Sequence, residues 1–218
     1  MKKRDKLPDY YPIFLNISGK RCVVVGGGQV SLRKVKALLE HRASVEVISP
    51  DACPELNKLA EDGEISVLPR SYRAGDIEDA FIVIAATSDR DTNLEVAQEA
   101  QRKAVLVNVV DDQGNSDFIA PSYVRRGDIT IAVSTAGRSP ALARKIRTRL
   151  EKDFGDEYAS LARLIGEVRA EIKRQGIRVN GDGWQEALDL DLLIKLLKEG
   201  DKEKAKTVLV SGLRRRQK

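Results

Sequence analysis

The sequence is poor in the residues from which metal and redox centres are usually built. One histidine, His41, stands in 218 residues, which excludes a multi-histidine zinc site and any catalysis that needs two imidazoles, and no resident metal is expected. Two cysteines, Cys22 and Cys53, lie 31 residues apart outside any CxxC pair, so buried thiols are expected and a disulfide framework is not. Long apolar runs are missing too. The longest unbroken ones, such as Phe81–Ala86, are about six residues, whereas a membrane-spanning helix needs ~20. The basic start Met1-Lys2-Lys3-Arg4 runs into Asp5, Pro8 and Asp9 rather than the apolar stretch of a secretion signal, so the chain is read as cytoplasmic. At 42% hydrophobic and 33% charged residues, with 16 Gly and 7 Pro, it has the make-up of a folded protein of one large or two modest domains.

Charge is unevenly placed. Between Ala120 and Arg149 stand seven basic residues (Arg125, Arg126, Arg138, Arg144, Lys145, Arg147 and Arg149) against one acid, Asp128, while the rest of the chain holds 31 bases and 32 acids. A segment of +6 in an otherwise neutral protein is a binding feature for something anionic or, on its helix, a plain solvated face. Nucleic acid is not expected, because Tyr123 is the segment's only aromatic residue and no nucleic-acid module is recognisable. The closing Arg214-Arg215-Arg216-Gln217-Lys218 reads as a solvated tail.

Arg21–Val25 (RCVVV) is a β-branched run that ends in Gly26-Gly27-Gly28, a strand entering a glycine turn. Leu32, Val35, Leu38 and Leu39 follow at helical spacing, closed by His41 and Arg42. His41 is then a helix-end cation or simply exposed. Further strands are expected at 44–48, 65–68, 81–86 and 104–110, and helices at 54–61 and 91–102. This alternation predicts an α/β fold, a Rossmann-type doubly wound parallel sheet over 1–113. Short strands at 118–120 and 128–134 and a helix from Pro140 to Leu150 then make a small α+β module over 114–150. Helices at 156–175, 184–188, 192–198 and 202–210 form a C-terminal helical module over 151–218.

Gly26-Gly27-Gly28-Gln29-Val30-Ser31 fits GxGxx followed by a small residue, with Ser31 in place of the last glycine. A strand before it and a helix after it point to a dinucleotide pyrophosphate on the helix N-terminus; the alternative is a structural glycine turn. Gly26, Gly28, Gln29 and Val30 are the candidate contacts, and a side chain at Gly26 or Gly28 is expected to block the cofactor while sparing the fold. A ribose-reading acid belongs at the end of the second strand, where Ser49 and Pro50 precede Asp51. That favours NAD over NADP. Thr87, after the fourth strand, either faces the cofactor or shapes a turn. Asp111 and Asp112, after the last strand, either serve catalysis or form a solvated acid pair. If catalytic, Asp111 is expected to be partly desolvated, with Asp112 turned to the other face.

Together, the glycine turn with Arg33-Lys34, Pro50-Asp51, Ala85-Ala86-Thr87 with Asn93, Val107-Asn108-Val109-Val110-Asp111, Phe118 with Pro121, and Ser134-Thr135-Ala136-Gly137-Arg138-Ser139-Pro140 with Leu142-Ala143-Arg144 closely resemble the precorrin-2 dehydrogenase family. The family includes bifunctional dehydrogenase/ferrochelatases and the amino-terminal part of sirohaem synthases. The resemblance covers Tyr11 to about Leu150. Ala136, commonly glycine in the family, and Ser31, commonly alanine, depart from it.

The resemblance implies NAD-dependent oxidation of precorrin-2 to sirohydrochlorin, which in some members is followed by insertion of ferrous iron as a substrate. Precorrin-2 carries eight carboxylates, a physical reason for the basic segment, with Thr135, Arg138, Ser139, Arg144 and Lys145 as candidate substrate contacts. Asp111 matches the family's key aspartate, Gly26, Gly28, Gln29, Val30, Pro50, Asp51 and Thr87 the cofactor side. It also implies a homodimer formed through the middle module, and precorrin-2 made by a separate protein. A non-catalytic NAD- or tetrapyrrole-binding sensor is the competing class.

Overall fold

The computed structural model describes residues 10–216. The readings of Met1–Arg4 and of Gln217 and Lys218 therefore lie outside the described residues. The chain divides into two compact units, 1–120 and 121–218.

Unit 1 is a five-stranded, all-parallel sheet of β1 (Arg21–Val25), β2 (Ser44–Ile48), β3 (Ile65–Leu68), β4 (Ile82–Ala85) and β5 (Leu106–Val109), in the order β3-β2-β1-β4-β5. Cys22 to Val25 and Ile82 to Ala85 are buried without interruption, as a sheet covered on both faces requires. On one face Leu32, Val35 and Leu38 of α1 (Gln29–Glu40) and Leu56 of α2 (Pro54–Glu61) pack on Cys22, Val24, Val45, Val47 and Ile84. On the other, Val96, Ala97 and Ala100 of α3 (Arg90–Lys103) pack on Val23, Val25, Val83 and Val107. The sheet is thus doubly wound, as the alternating pattern predicts. Burial at 0% exposure pushes the Cys22 thiol up to about 11, so it is a protonated packing group at neutral pH.

Between β3 and β4 residues 69–81 form no crossover helix; Ile77 and Ala80 fill that face instead. Arg70 clamps Asp76 with two 2.7 Å bonds, Tyr72 donates to the buried Glu99 at 2.6 Å, and Arg21 donates to Asp76 O at 2.8 Å and Glu46 at 2.6 Å. Side chains thus do the ordering that helical hydrogen bonds do in the other crossovers. His41 closes α1, its Nδ1 2.7 Å from Ala37 O.

Unit 2 opens with an antiparallel hairpin, β6 (Ser122–Arg126) and β7 (Ile129–Val133), turned at Gly127 (φ +58°). The expected strand at Phe118–Ala120 is not formed: these residues belong to the loop after β5, where Phe118 O accepts from Asn108 Nδ2 at 2.9 Å, and the first hairpin strand lies two residues later. α4 (Pro140–Asp153) follows, then α5 (Asp156–Arg174), α6 (Gly181–Ala187), α7 (Leu190–Lys198) and α8 (Lys202–Arg214). Leu161, Leu164, Val168 and Ile172 of α5 pack on Leu193 and Leu196 of α7 and on Ala205, Leu209 and Leu213 of α8. The α5 seam thus finds its partner inside the unit.

The solvated-tail reading is corrected for Arg214–Arg216. α8 runs to Arg214, which reaches Gln175 at 3.1 Å, and Arg216 pairs with Glu186 at 2.9 Å, because the apolar seam through Leu209 and Leu213 carries the helix past Val210.

Candidate functional site

The strand order reverses at β1, between β2 and β4, and the loops leaving the carboxyl ends of these strands are where ligands bind in such sheets. Gly26 takes φ +122°, a region that side chains resist, and a Cβ there would meet Ala86 O at 2.5 Å and Ser31 Oγ at 3.0 Å. At Gly27 a Cβ would collide with Asp51 O and with Ala52 Cα at 2.8 Å. Gly28 has nothing within 4 Å of its Cβ position. Two of the three glycines therefore close the turn against its neighbours, and the third leaves open space at the start of α1.

That helix start is built to receive an anion. Gly28 is its N-cap and supplies no side-chain cap, and no acid stands in the first turn, so donors and dipole are left for a ligand. Ser31, in that turn, is fully buried and its hydroxyl has no partner. Open space at Gly28, an uncapped helix start and an orphaned hydroxyl beneath it fit a dinucleotide pyrophosphate held by Gly28, Gln29 and Val30. The expectation that Gly26 can carry a side chain without harm is corrected, because Ala86 O occupies the place.

The loop after β2 folds onto the glycine turn: Cys53 N donates to Gly27 O at 2.9 Å, and Ser49 Oγ to Asp51 O at 2.9 Å. Pro50 and Asp51 are exposed at this rim. Beside them, Gln29 Nε2 lies 3.4 Å from both carboxylate oxygens of Glu55. The Glu55 backbone N–H, the Cys53 thiol, Gln29 and the charge of Lys36 hold the Glu55 carboxyl below its usual range.

Thr87 is placed differently from a cofactor-facing hydroxyl. Its Oγ1 donates toward Asp89 O at 2.7 Å and Asn93 Oδ1 at 2.9 Å and accepts from Asp89 N, while Asp89 caps α3. It shapes the turn. Asp111 follows β5 with φ +60°, exposed and without a hydrogen bond or ion pair among the described residues; the expected desolvation is not found, because the left-handed turn swings it out of the sheet. Asp112 is the structural member of the pair, accepting from Asn115 N at 3.2 Å and Asn115 Nδ2 at 2.7 Å. A hollow of about 440 Å³ at this end of the sheet is lined by Arg90, Leu94, Val109, Asp111 and Asp112, among others.

Sequence reasoning missed a role for Lys34, half-buried on α1 with Nζ 3.4 Å from Asn108 Oδ1 on β5. Burial and Arg33 push its ammonium below the ordinary lysine value, against the pull of Asp111. It missed Glu55 as well. Neither contact leaves a periodic signal, since each joins two elements far apart in sequence.

In unit 2 the turn 134–139 carries Ala136 (φ +49°) and Gly137 (φ +76°). Thr135 Oγ1 accepts from Ser139 N at 3.0 Å, and Ser139 caps α4 by accepting from Leu142 N at 3.2 Å. Arg138, Arg144 and Lys145 are exposed and form no ion pair or hydrogen bond through their side chains among the described residues. The other cations of the segment are committed: Arg126 donates to Phe154 O at 2.9 Å and Glu151 O at 3.2 Å, and Arg147 pairs with Glu151.

A parallel sheet whose first strand delivers a tight glycine turn to an uncapped helix, at the reversal of strand order, defines a dinucleotide-binding protein. Residues 13–122, half of the chain, match the family described as "Putative NAD(P)-binding", and residues 126–152 match the one described as "Sirohaem biosynthesis protein central". The chain belongs to this NAD(P)-binding family, in the form that occurs in sirohaem synthases. It is 41% identical over 165 residues to a sirohaem synthase of Chromobacterium violaceum, covering 76% of this chain and 35% of that one. With the sirohaem synthase of Nitrosococcus oceani it shares 39% over 206 residues, 94% of this chain and 44% of the relative. The chain thus spans less than half the length of these relatives. Among solved structures, SirC, a precorrin-2 dehydrogenase, shares the fold with a TM-score of 0.71 at 23% identity, over 94% of this chain and 100% of that one.

Proposed function

We propose that this chain oxidises precorrin-2 to sirohydrochlorin in sirohaem biosynthesis, with NAD as the hydride acceptor, in the cytoplasm. The observation that carries this reading is the pairing, in one NAD(P)-binding unit, of an open anion cradle at Gly28 with an uncommitted carboxylate, Asp111, beyond β5. The names of the relatives support the substrate. NAD, when bound, supplies the two-electron acceptor.

The chain's own residues do the rest. The N–H groups at the start of α1 hold the pyrophosphate, and Asp51 accepts a hydrogen bond from the ribose. Asp111 takes the proton that the substrate loses as the hydride departs, so that two hydrogens leave the substrate in all. Arg138, Arg144 and Lys145 hold substrate carboxylates, with Thr135 and Ser139 building the turn that carries Arg138. In ferrous iron insertion the same Asp111 carboxylate would accept a pyrrole N–H proton.

The assay is anaerobic: purified chain, precorrin-2 and NAD, followed by absorbance, and then ferrous iron. NAD-dependent formation of sirohydrochlorin is the expected result, and the iron step decides whether the chain is bifunctional. Binding of NAD and tetrapyrrole without turnover would establish a sensor instead.

We also propose a homodimer through the middle module, 114–150. Leu142 and Ile146 of α4 are 52% and 38% exposed, an apolar stripe that α4 does not bury within its own unit. Light scattering at micromolar concentration tests it: a single 24.1 kDa species would remove this reading.

No helix among the described residues is long and apolar enough to cross a membrane.

A further inference from the structure

We propose that Glu55, fixed at the first turn of α2, is the residue by which this chain rejects the 2′-phosphate of NADP and so selects NAD. The inference rests on the dinucleotide reading and adds a residue to it. A dinucleotide whose pyrophosphate sits at Gly28 carries its adenosine ribose toward the carboxyl end of β2, the place where such folds read the 2′ position. In this chain that place is the loop 49–53, docked on the glycine turn through Cys53 N and Gly27 O at 2.9 Å and through the contact of Asp51 with Gly27.

Two carboxylates stand there. Asp51 is the acid that chain order places at the strand end. Glu55 comes from the next helix, and it is the one whose position is set: Gln29, the first residue of α1, spans from the phosphate cradle to both of its oxygens at 3.4 Å. Its own backbone N–H and the Cys53 thiol favour the ionised form, so the anion is in place at neutral pH. A ribose 2′-hydroxyl can donate to such a group, whereas a 2′-phosphate brings like charge against it.

NADP-binding relatives of this fold use an arginine near that position. Here the first residue of α1 is Gln29, and the cation that faces Glu55 is Lys36, a later residue of the same helix. Gln29 neutralises nothing. It orients the carboxylate, and Lys36, the smallest of the influences on Glu55, acts only through its charge.

The test is a pair of dissociation constants, for NAD and NADP, measured by calorimetry on the whole chain as wild type, Glu55→Gln and Gln29→Ala. Glu55 is exposed, and a melting curve for each variant checks that the fold is kept. Glu55→Gln should tighten NADP by about tenfold and change NAD by less than about threefold, and the wild-type preference should shrink as salt rises. Gln29→Ala should erode the preference in the same direction by releasing the carboxylate. A preference for NAD that Glu55→Gln leaves unchanged overturns this inference alone. Failure of the wild-type chain to bind either dinucleotide overturns it together with the dinucleotide reading.

Discussion

Cys53 gives its backbone N–H to Gly27 O at 2.9 Å, which makes the glycine turn after β1 and the N-terminus of α2 a single piece of structure. The phosphate cradle and the ribose rim are therefore not independent. Substitutions in the turn differ in kind according to what each glycine touches.

A Cβ at Gly28 meets no atom within 4 Å, so Gly28→Val should leave the melting temperature near that of the wild type while abolishing NAD binding, because the valine fills the space a pyrophosphate needs. Gly26→Val faces Ala86 O and a φ of +122°, so it should lower thermal stability. Calorimetry of NAD binding alongside thermal melting separates the two. A Gly28→Val chain that binds NAD normally would remove the fingerprint assignment.

Asp111→Asn should reduce kcat by ~10² to 10⁴ with both ligands still bound, since asparagine keeps shape and hydrogen bonding and accepts no proton. Asp112→Asn should act on stability instead, through the weakened bonds to Asn115. Steady-state kinetics together with melting curves distinguish them. Near-normal turnover by Asp111→Asn would mean that the proton is lost to water.

Neutralising Arg138, Arg144 and Lys145 together with glutamine should raise KM for precorrin-2 in a salt-dependent way and leave the Kd for NAD within about twofold. Arg147→Gln, by contrast, removes a helix ion pair with Glu151 and should leave KM unaltered. Parallel losses for substrate and NAD would trace the triple variant's defect to misfolding.

Asp76 is held below its usual value by Arg70, by the Arg73 backbone N–H and by the charges of both arginines, against burial. With the folded value depressed, this clamp contributes stability above the unfolded value of ~3.9 and loses it as pH falls through the folded value. Asp76→Asn should therefore cost about 1–3 kcal/mol at pH 7, and its denaturation curve should converge with the wild type's in acid. A constant gap down to pH 2 would contradict the clamp.

Strand and helix order in unit 1 was legible because burial on two faces writes itself as unbroken apolar strands and 3.6-residue helices; α2 begins and ends where proline and its apolar spacing put it. Phe118 misled for a related reason: an apolar residue beside the sheet looks like strand whether its backbone pairs or not, and here the Asn108 side chain takes the Phe118 carbonyl. Chemistry at the strand ends was legible only as residue types. That Asp111 is left-handed and exposed, that Thr87 is spent on its own turn, and that Glu55 stands beside Gln29 are outcomes of backbone direction and long-range contact, which local pattern does not encode. Arg126 and Arg147 likewise count toward a basic segment in sequence and toward internal bonds in space.

β1 lies between two parallel partners, with Cys22, Val23, Val24 and Val25 at 0–1% exposure, and the glycine turn is its direct continuation. Amide hydrogens of this strand should be among the slowest in unit 1 to exchange with deuterium, open only in global unfolding, while those of the loop around Asp111 exchange early. On the proposed reading, the cofactor's phosphate end docks on the part of the unit expected to exchange most slowly. On that reading, association can proceed without ordering the cradle, and the motion that turnover demands would fall at the other end, where the substrate would enter and leave.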